Sequence, residues 1–321
     1  MINHLKTPYF AVIVSTIILA ISPFFIDSYY ILSVLTLANL YAVFATSWDL
    51  VSGYTGNLIL GQALFIGIGG FTVGIFHDSL GFILSIILGV IFCMIAAFVV
   101  GGPSLKIRGP YFSLITMVLP LIMYQLVYTF RNITGGEYGL SVNHSISRQE
   151  LFYITLAYMF ISVMILLFIS RSKIGKIFIA IREDEYGCAA LGNNVTFYKL
   201  LAFNISAVLS GIGGGLLAIY LRHIGPNVFD LWLSVTILII GIVGGIGTII
   251  GPFFAAYILT FLPEVLRSTE QYQDLIFALI LILSVFFLPN GFIRFIDRFK
   301  NRKVEEVSPQ ESVQTEERNI V

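Results

Sequence analysis

The sequence predicts an all-α polytopic membrane protein, a bundle of about ten transmembrane helices, and three observations carry that prediction. Hydrophobic residues make up 57% of the chain and charged residues only 11%, where a soluble domain carries roughly a quarter charged residues. Stretches of about 20 apolar residues, enough to span a hydrocarbon core, recur along nearly all 321 positions. Basic residues fall mainly between those stretches, which is what the preference of Lys and Arg for the cytoplasmic side requires.

Taken in order, apolar windows lie near 9–26, 29–51, 57–76, 81–101, 112–130, 151–170, 199–221, 233–262 and 273–290. The first follows Lys6 and lacks a small-x-small cleavage site, the sequence there being the bulky Ile21-Ser-Pro-Phe-Phe-Ile-Asp27, so it reads as an uncleaved span. The window 233–262 is too long, since thirty helical residues reach roughly 45 Å against ~30 Å of hydrocarbon. Its middle, Gly244-Gly-Ile-Gly-Thr-Ile-Ile-Gly-Pro252, weakens regular helix through Gly244, Gly245, Gly247, Gly251 and the proline, and it splits into two shorter helices.

Basic residues then choose between nine and ten crossings. Ten spans put Lys6; Lys106 and Arg108; Arg171, Lys173, Lys176, Arg182 and Lys199; and the group from Arg294 to Arg318 in the cytoplasm, leaving only Arg131, Arg148, Arg222 and Arg267 outside. Nine would move the basic C-terminal group outside. Both termini are therefore expected in the cytoplasm. Residues 1–301 form one transmembrane domain with a cytoplasmic loop at 171–198. Residues 302–321 hold too few large apolar side chains to fold, which predicts a disordered cytoplasmic tail.

Several function classes lose support. Zero net charge, 18 basic against 18 acidic residues, gives no footing for a nucleic-acid partner. Cys93 and Cys188 lie in dissimilar surroundings, which argues against a disulfide, and His4, His77, His144 and His223 are scattered, so no metal site is expected. Gly175-Lys176, the single Gly-Lys pair, lacks the rest of a phosphate-binding loop, and no nucleophile elbow or His-Glu-x-x-His is present. No catalytic residue and no cofactor are assigned to this chain. It reads as no enzyme, and any work done with ATP falls to a partner.

Two features stand out against this apolar background. Residues 182–195 form an acidic patch: Glu183, Asp184 and Glu185 suit the positive end of a short helix, Ala189, Ala190 and Leu191 continue it, and Gly192 with Asn193 ends it. It is either a docking knob for another protein or a solvated loop. The second feature is glycine. Gly53, Gly56, Gly61, Gly67, Gly69, Gly70 and Gly74 let helices approach closely or let backbone break to line a cavity. The cluster at 241–252 is similar in flavour, but the spacings of the two do not match as a repeat would require.

Polar residues within spans are sparse. Asn39, Asp49, Asn57, Gln62, Thr116, Gln125, Asn204, Ser206 and Ser210 are each expected to face protein or a wet path. Asp49 sits close to the cytoplasmic end of its span, where a carboxylate can reach water.

Several segments together resemble the LivM-type permease subunits of bacterial branched-chain amino acid ABC importers. They are Leu50-Val-Ser-Gly-Tyr-Thr-Gly-Asn-Leu-Ile-Leu-Gly61; Leu105-Lys-Ile-Arg-Gly-Pro-Tyr-Phe112 with Thr116; Thr134-Gly-Gly-Glu-Tyr-Gly-Leu140; Ala180-Ile-Arg-Glu-Asp-Glu185 with Ala189-Ala-Leu-Gly192; and Gly244 to Pro252 with Leu262-Pro-Glu-Val-Leu266. The sequence departs from that pattern at Asp49, Ile59 and Gln62, where asparagine, serine and histidine are frequent.

The resemblance implies a multi-pass permease of the bacterial inner membrane. Its implied partners are a homologous second permease subunit, two ATP-binding subunits that carry ATP and Mg, and an extracytoplasmic substrate-binding protein. Its implied cargo is a branched-chain amino acid, with urea or short amides as the nearest alternative. A stand-alone secondary transporter is the competing class. Carried across residue by residue, the helix that couples such permeases to their ATPase matches Glu183 to Gly192.

Overall fold

The computed structural model describes residues 3–25, 28–105 and 110–265. The window 273–290, the tail 302–321, the whole basic group from Arg294 to Arg318, and Lys106, Arg108 and Arg267 lie outside the described residues. In chain order the elements are α1 (Asn3–Ile21), α2 (Tyr29–Ser52), α3 (Ala63–Ser104), α4 (Pro110–Thr129), the single turn α5 (Arg131–Thr134), β1 (Leu140–Ser141), α6 (Arg148–Arg171), α7 (Lys173–Glu183), α8 (Glu185–Ala190), α9 (Val195–Leu221), β2 (His223–Ile224), α10 (Leu231–Gly244) and α11 (Ile250–Val265).

Five of these helices, α2, α3, α4, α6 and α9, are long and apolar enough to cross a membrane; Pro8–Phe24, Leu231–Gly244 and Ile250–Pro263 are shorter apolar helices. The glycine-rich stretch does divide 233–262: α10 ends at Gly244 and α11 begins at Ile250. At 1.5 Å per residue each of these two helices is only roughly 21–24 Å long, short of a full hydrocarbon thickness.

With 42 residues, α3 would reach about 63 Å if straight, twice the hydrocarbon thickness. It is instead a hairpin. Gly81, with φ 78° and ψ 175°, breaks the helix, and the two arms lie side by side: the Cys93 thiol donates to the Phe65 carbonyl at 3.3 Å, and a Cβ on Gly89 would lie 3.5 Å from the Gly69 Cα. The windows 57–76 and 81–101 are the two arms of this hairpin.

The first arm, however, starts later than expected. Residues 57–62 are not helical. Side chains from neighbouring elements take over their backbone hydrogen bonds: Trp48 Nε1 donates to the Ile59 carbonyl at 2.8 Å, Ser52 Oγ accepts from Ile59 N, Thr116 Oγ1 accepts from Leu60 N, Ser113 Oγ donates to the Leu58 carbonyl, and Ser234 Oγ accepts from Ala63 N. Irregular backbone persists at this depth only where protein satisfies it in this way.

Helix α2 is the central post, buried over most of its length and packed against α6, α9, α10 and α11. The α3 hairpin packs on α9 where glycine meets glycine. A Cβ on Gly69 would lie 2.0 Å from the Gly211 carbonyl oxygen, and one on Gly214 2.0 Å from that of Ile66. The core closes with aromatic edges: Phe203 meets Phe65 and Phe112 edge-on at 5.2 and 6.0 Å. At the far end of the bundle β1 and β2 pair antiparallel, Leu140 opposite Ile224 and Ser141 opposite His223.

Candidate coupling site and buried junction

The acidic patch folds as two short helices rather than one. Ser172 caps α7, its Oγ accepting from Ile174 N. Helix α7 buries Gly175, Phe178 and Ile181 and leaves its other face outward. Glu183 is its last residue. Asp184 then turns extended, with φ −152°, and its carboxylate accepts from Tyr186 N at 3.0 Å, capping α8.

The three acids therefore hold different posts, which corrects the single-helix expectation. Glu183 pairs locally with Arg182 at 2.7 Å, Asp184 is the cap, and Glu185 in the first turn of α8 binds the buried Lys199 Nζ at 2.8 Å. Leu191 lies beyond the helix rather than within it, and Gly192, with φ 86°, reverses the chain. Cys188 anchors the turn against Ile181 and Val195. Tyr186 and Leu191 are 69% and 84% exposed, with Ala189 and Ala190 also outward.

Behind this surface lies a junction that joins α2 to the break between α10 and α11. Asp49 is fully buried, contrary to the expectation that it reaches water. Its Oδ1 accepts from Gly247 N at 2.6 Å, and its Oδ2 accepts from Thr248 N at 3.0 Å and Ile249 N at 2.8 Å. Three amide dipoles replace the water a carboxylate would otherwise need. They are available because the chain leaves the helical region here: Gly245 and Gly247 have φ of 107° and 78°, and Ile249 has φ 57°. A β-branched residue with positive φ carries a cost of about 1–3 kcal/mol, which the bond from its own N–H to Asp49 helps offset.

Gly244 and Gly251 close the break, a Cβ on Gly251 falling 1.9 Å from the Gly244 carbonyl oxygen. Gly53 completes the contact from α2, since a Cβ there would sit 2.4 Å from Gly247 N.

Arg182 connects the two regions, and the sequence offered no reason to single it out. From the end of α7 its Nη1 donates to the Gly53 carbonyl at 2.8 Å. The same guanidinium lies against Gly247, where a Cβ would meet it at 2.9 Å, and its stem lies against Gly56. Gly56 is exposed and Asn57 half-buried on the same loop. One side chain thus touches the surface segment, the end of α2 and the α10–α11 break.

Deeper in the bundle, Gln62 is fully buried. Its Nε2 lies within hydrogen-bond reach of Ser206 Oγ at 3.0 Å, Ser210 Oγ at 2.5 Å and Ser47 Oγ at 3.3 Å, its two N–H groups being shared among the three, while its Oε1 has no partner among the described residues. Ser47 had not been singled out from sequence. Thr116 holds the irregular segment through Leu60, and Gly61 lies against the Thr116 carbonyl, where a Cβ would fall at 1.8 Å. Asn39 bonds Thr155 Oγ1 and accepts from the Tyr257 hydroxyl. Gln125 differs from the expectation for in-span polar residues, being exposed on α4. No group of three or more metal-ligating side chains is present among the described residues.

Sequence relationships agree with this architecture. A family model described as the branched-chain amino acid transport system permease component matches residues 30–285. The chain is 27% identical over 291 residues to the high-affinity branched-chain amino acid transport system permease protein LivM of Salmonella typhimurium, covering 80% of this chain and 68% of that one. It is 26% identical over 314 residues to the LivM protein of Escherichia coli, covering 88% and 74% respectively. A shorter match, 28% over 165 residues, reaches the autoinducer 2 import system permease protein LsrC of Yersinia enterocolitica, covering 47% of this chain and 46% of that one. No solved structure matches the chain. The chain is a multi-pass membrane protein that belongs to the branched-chain amino acid transport system permease family of ABC transporters.

Proposed function

We propose that this chain forms half of the membrane pathway of an ATP-driven importer of branched-chain amino acids. A homologous second permease forms the other half, and each permease is gripped by an ATP-binding subunit at α7 and α8. An extracytoplasmic binding protein delivers the cargo, and both termini face the cytoplasm.

The observation that carries the coupling part is Arg182. The exposed segment around Tyr186 and Leu191 is tied through that one guanidinium to Gly53 and the α10–α11 break. A partner that shifts α7 and α8 on binding nucleotide pulls on the Gly53 carbonyl and on the loop whose amides hold Asp49. Short helices joined by a glycine break are elements that can take two arrangements, and nucleotide acts by stabilising one over the other. The chain supplies no chemistry of its own. ATP and Mg stay on the partners.

The test is Leu191→Asp combined with Tyr186→Asp in the assembled complex. Both side chains are exposed, so insertion and amount in the membrane should be unchanged while leucine uptake and cargo-stimulated ATP hydrolysis fall together. Normal uptake would remove the docking role. Reversing all three acids is a poorer test, because a lysine at Glu185 would face the buried Lys199 ammonium. An uptake panel of leucine, isoleucine, valine, urea and acetamide decides the cargo. Reporter fusions after residues 145, 180 and 300 should read outside, inside and inside.

A further inference from the structure

The segment Thr134-Gly-Gly-Glu-Tyr-Gly-Leu140 plays no part in the coupling junction, yet it is tightly built. Gly135, Gly136 and Gly139 all have positive φ, and a Cβ on Gly139 would lie 2.3 Å from the Ile224 carbonyl oxygen. This turn, locked by the β1–β2 pair, holds Glu137 at the rim of a half-enclosed cavity of about 830 Å³.

The cavity lies at the opposite end of α9 from the coupling segment. That helix starts at Val195 beside α8 and ends at Leu221 on the cavity wall, 27 residues or about 40 Å away. The cavity's body is apolar, with Leu217, Leu233, Ile240 and Leu259 beside the rings of Tyr41 and Trp232. Two carboxylates, Glu137 and Asp230, line it, and no lysine or arginine among the described residues does. Neither carboxylate has a salt-bridge partner among the described residues. On the wall, Thr260 Oγ1 is buried without a hydrogen-bond partner among the described residues.

An apolar chamber that carries two carboxylates and no basic side chain among the described residues, one of the carboxylates also capping α10 through Trp232 N, suits an aliphatic body that carries an ammonium group. We propose that this cavity is an outer receiving site for an aliphatic amino acid, in which Glu137 and Asp230 take the α-ammonium, the unpartnered Thr260 hydroxyl donates to the α-carboxylate, and the leucine and isoleucine wall takes the side chain. The site is far larger than one such molecule, so it holds its guest loosely and with water, as a chamber that must pass its occupant onward requires. This inference rests on the functional reading above and adds the face of cargo recognised. It also separates an amino acid from a neutral amide such as urea, which offers the two carboxylates no cation.

The experiment uses the full complex in native membranes and a diazirine analogue of leucine as photoprobe. Leucine uptake is measured first, and its absence would overturn the functional reading itself. With uptake present, irradiation should label peptides from 217–240 and 259–263. Excess leucine should suppress that labelling, and the corresponding α-keto acid, which lacks the ammonium, should not. Glu137→Gln with Asp230→Asn, the latter still able to cap α10, should lower labelling about tenfold, as expected when a charge-assisted hydrogen bond is lost. Uptake without labelling of these peptides, or equal competition by the keto acid, would overturn the site while leaving the transporter assignment standing.

Discussion

The seam between α3 and α9 and the junction between α10 and α11 are both made of glycine, and they use it for opposite purposes. In the seam the glycines lie inside helices, their amides already bonded along the helix, and the missing side chains let two backbones touch at Gly69 and Gly211. At the junction the glycines leave the helix, and the freed amides of residues 247–249 turn toward a carboxylate on another element. Small residues therefore mark where backbone comes close, but they do not say whether the helix survives the approach. The seam is a fixed joint. The junction is a joint held by one removable side chain.

That contrast is broken most sharply by Asp49→Ala. Three amides would lose their acceptor, that of Ile249 buried and those of Gly247 and Thr248 partly buried; at about 1–3 kcal/mol each, a loss on the order of 3–9 kcal/mol should appear as a lower thermal unfolding temperature of the purified complex, or as absence from the membrane. Asp49→Asn keeps one acceptor oxygen and should fall between this variant and the wild type. A variant as stable as wild type would show that the junction does not depend on the carboxylate.

Gly69→Val tests the seam. Its new side chain would meet the Gly211 carbonyl, and overpacking of this kind costs about 1–3 kcal/mol when neighbours can yield and more when they are backbone. The same thermal measurement reads it. A smaller effect on stability, but a large one on transport, is expected of Arg182→Ala. One charge-assisted bond to the Gly53 carbonyl is lost at about 1–2 kcal/mol, while ATP hydrolysed per leucine imported should rise as the link to the surface segment is cut. Arg182→Lys should recover part of the stability and less of the coupling, since an ammonium cannot reproduce the fork of a guanidinium. The smallest change is Gly102→Ala. Its Cβ would meet nothing within 4 Å, so replacing a helical glycine should be neutral or stabilising by up to about 1 kcal/mol. Destabilisation there would mean that the α3 surface is covered in the assembly.

Much of this architecture is legible in the sequence. The excess length of window 233–262 and its four glycines were enough to cut it into α10 and α11, because helix length and helix interruption are written locally in sequence. The end of the acidic segment at Gly192 was legible for the same reason. The unwound stretch at 57–62 was missed: Asn57 to Gln62 is followed by a long apolar run, and nothing local announces that serines and threonines at 52, 113, 116 and 234 will supply its hydrogen bonds. The tie between Glu185 and Lys199 was equally hidden, since the acid falls in the loop 171–198 and the base at the start of the next apolar window, 199–221.

By itself, then, the sequence determined that the chain is a helical membrane permease, where most of its helices run, and which glycine run interrupts one of them. These follow from hydropathy, period and the limits of single residues, all of which act over a few neighbours. Only the tertiary structure decided that Asp49 is sealed rather than wet, that Arg182 joins the surface segment to the broken helices, and that Glu137 and Asp230 share one cavity. The bonds at Asp49 connect residues about 200 positions apart. A buried polar group must find its partner wherever the fold brings one, and that partner is chosen by packing rather than by sequence distance.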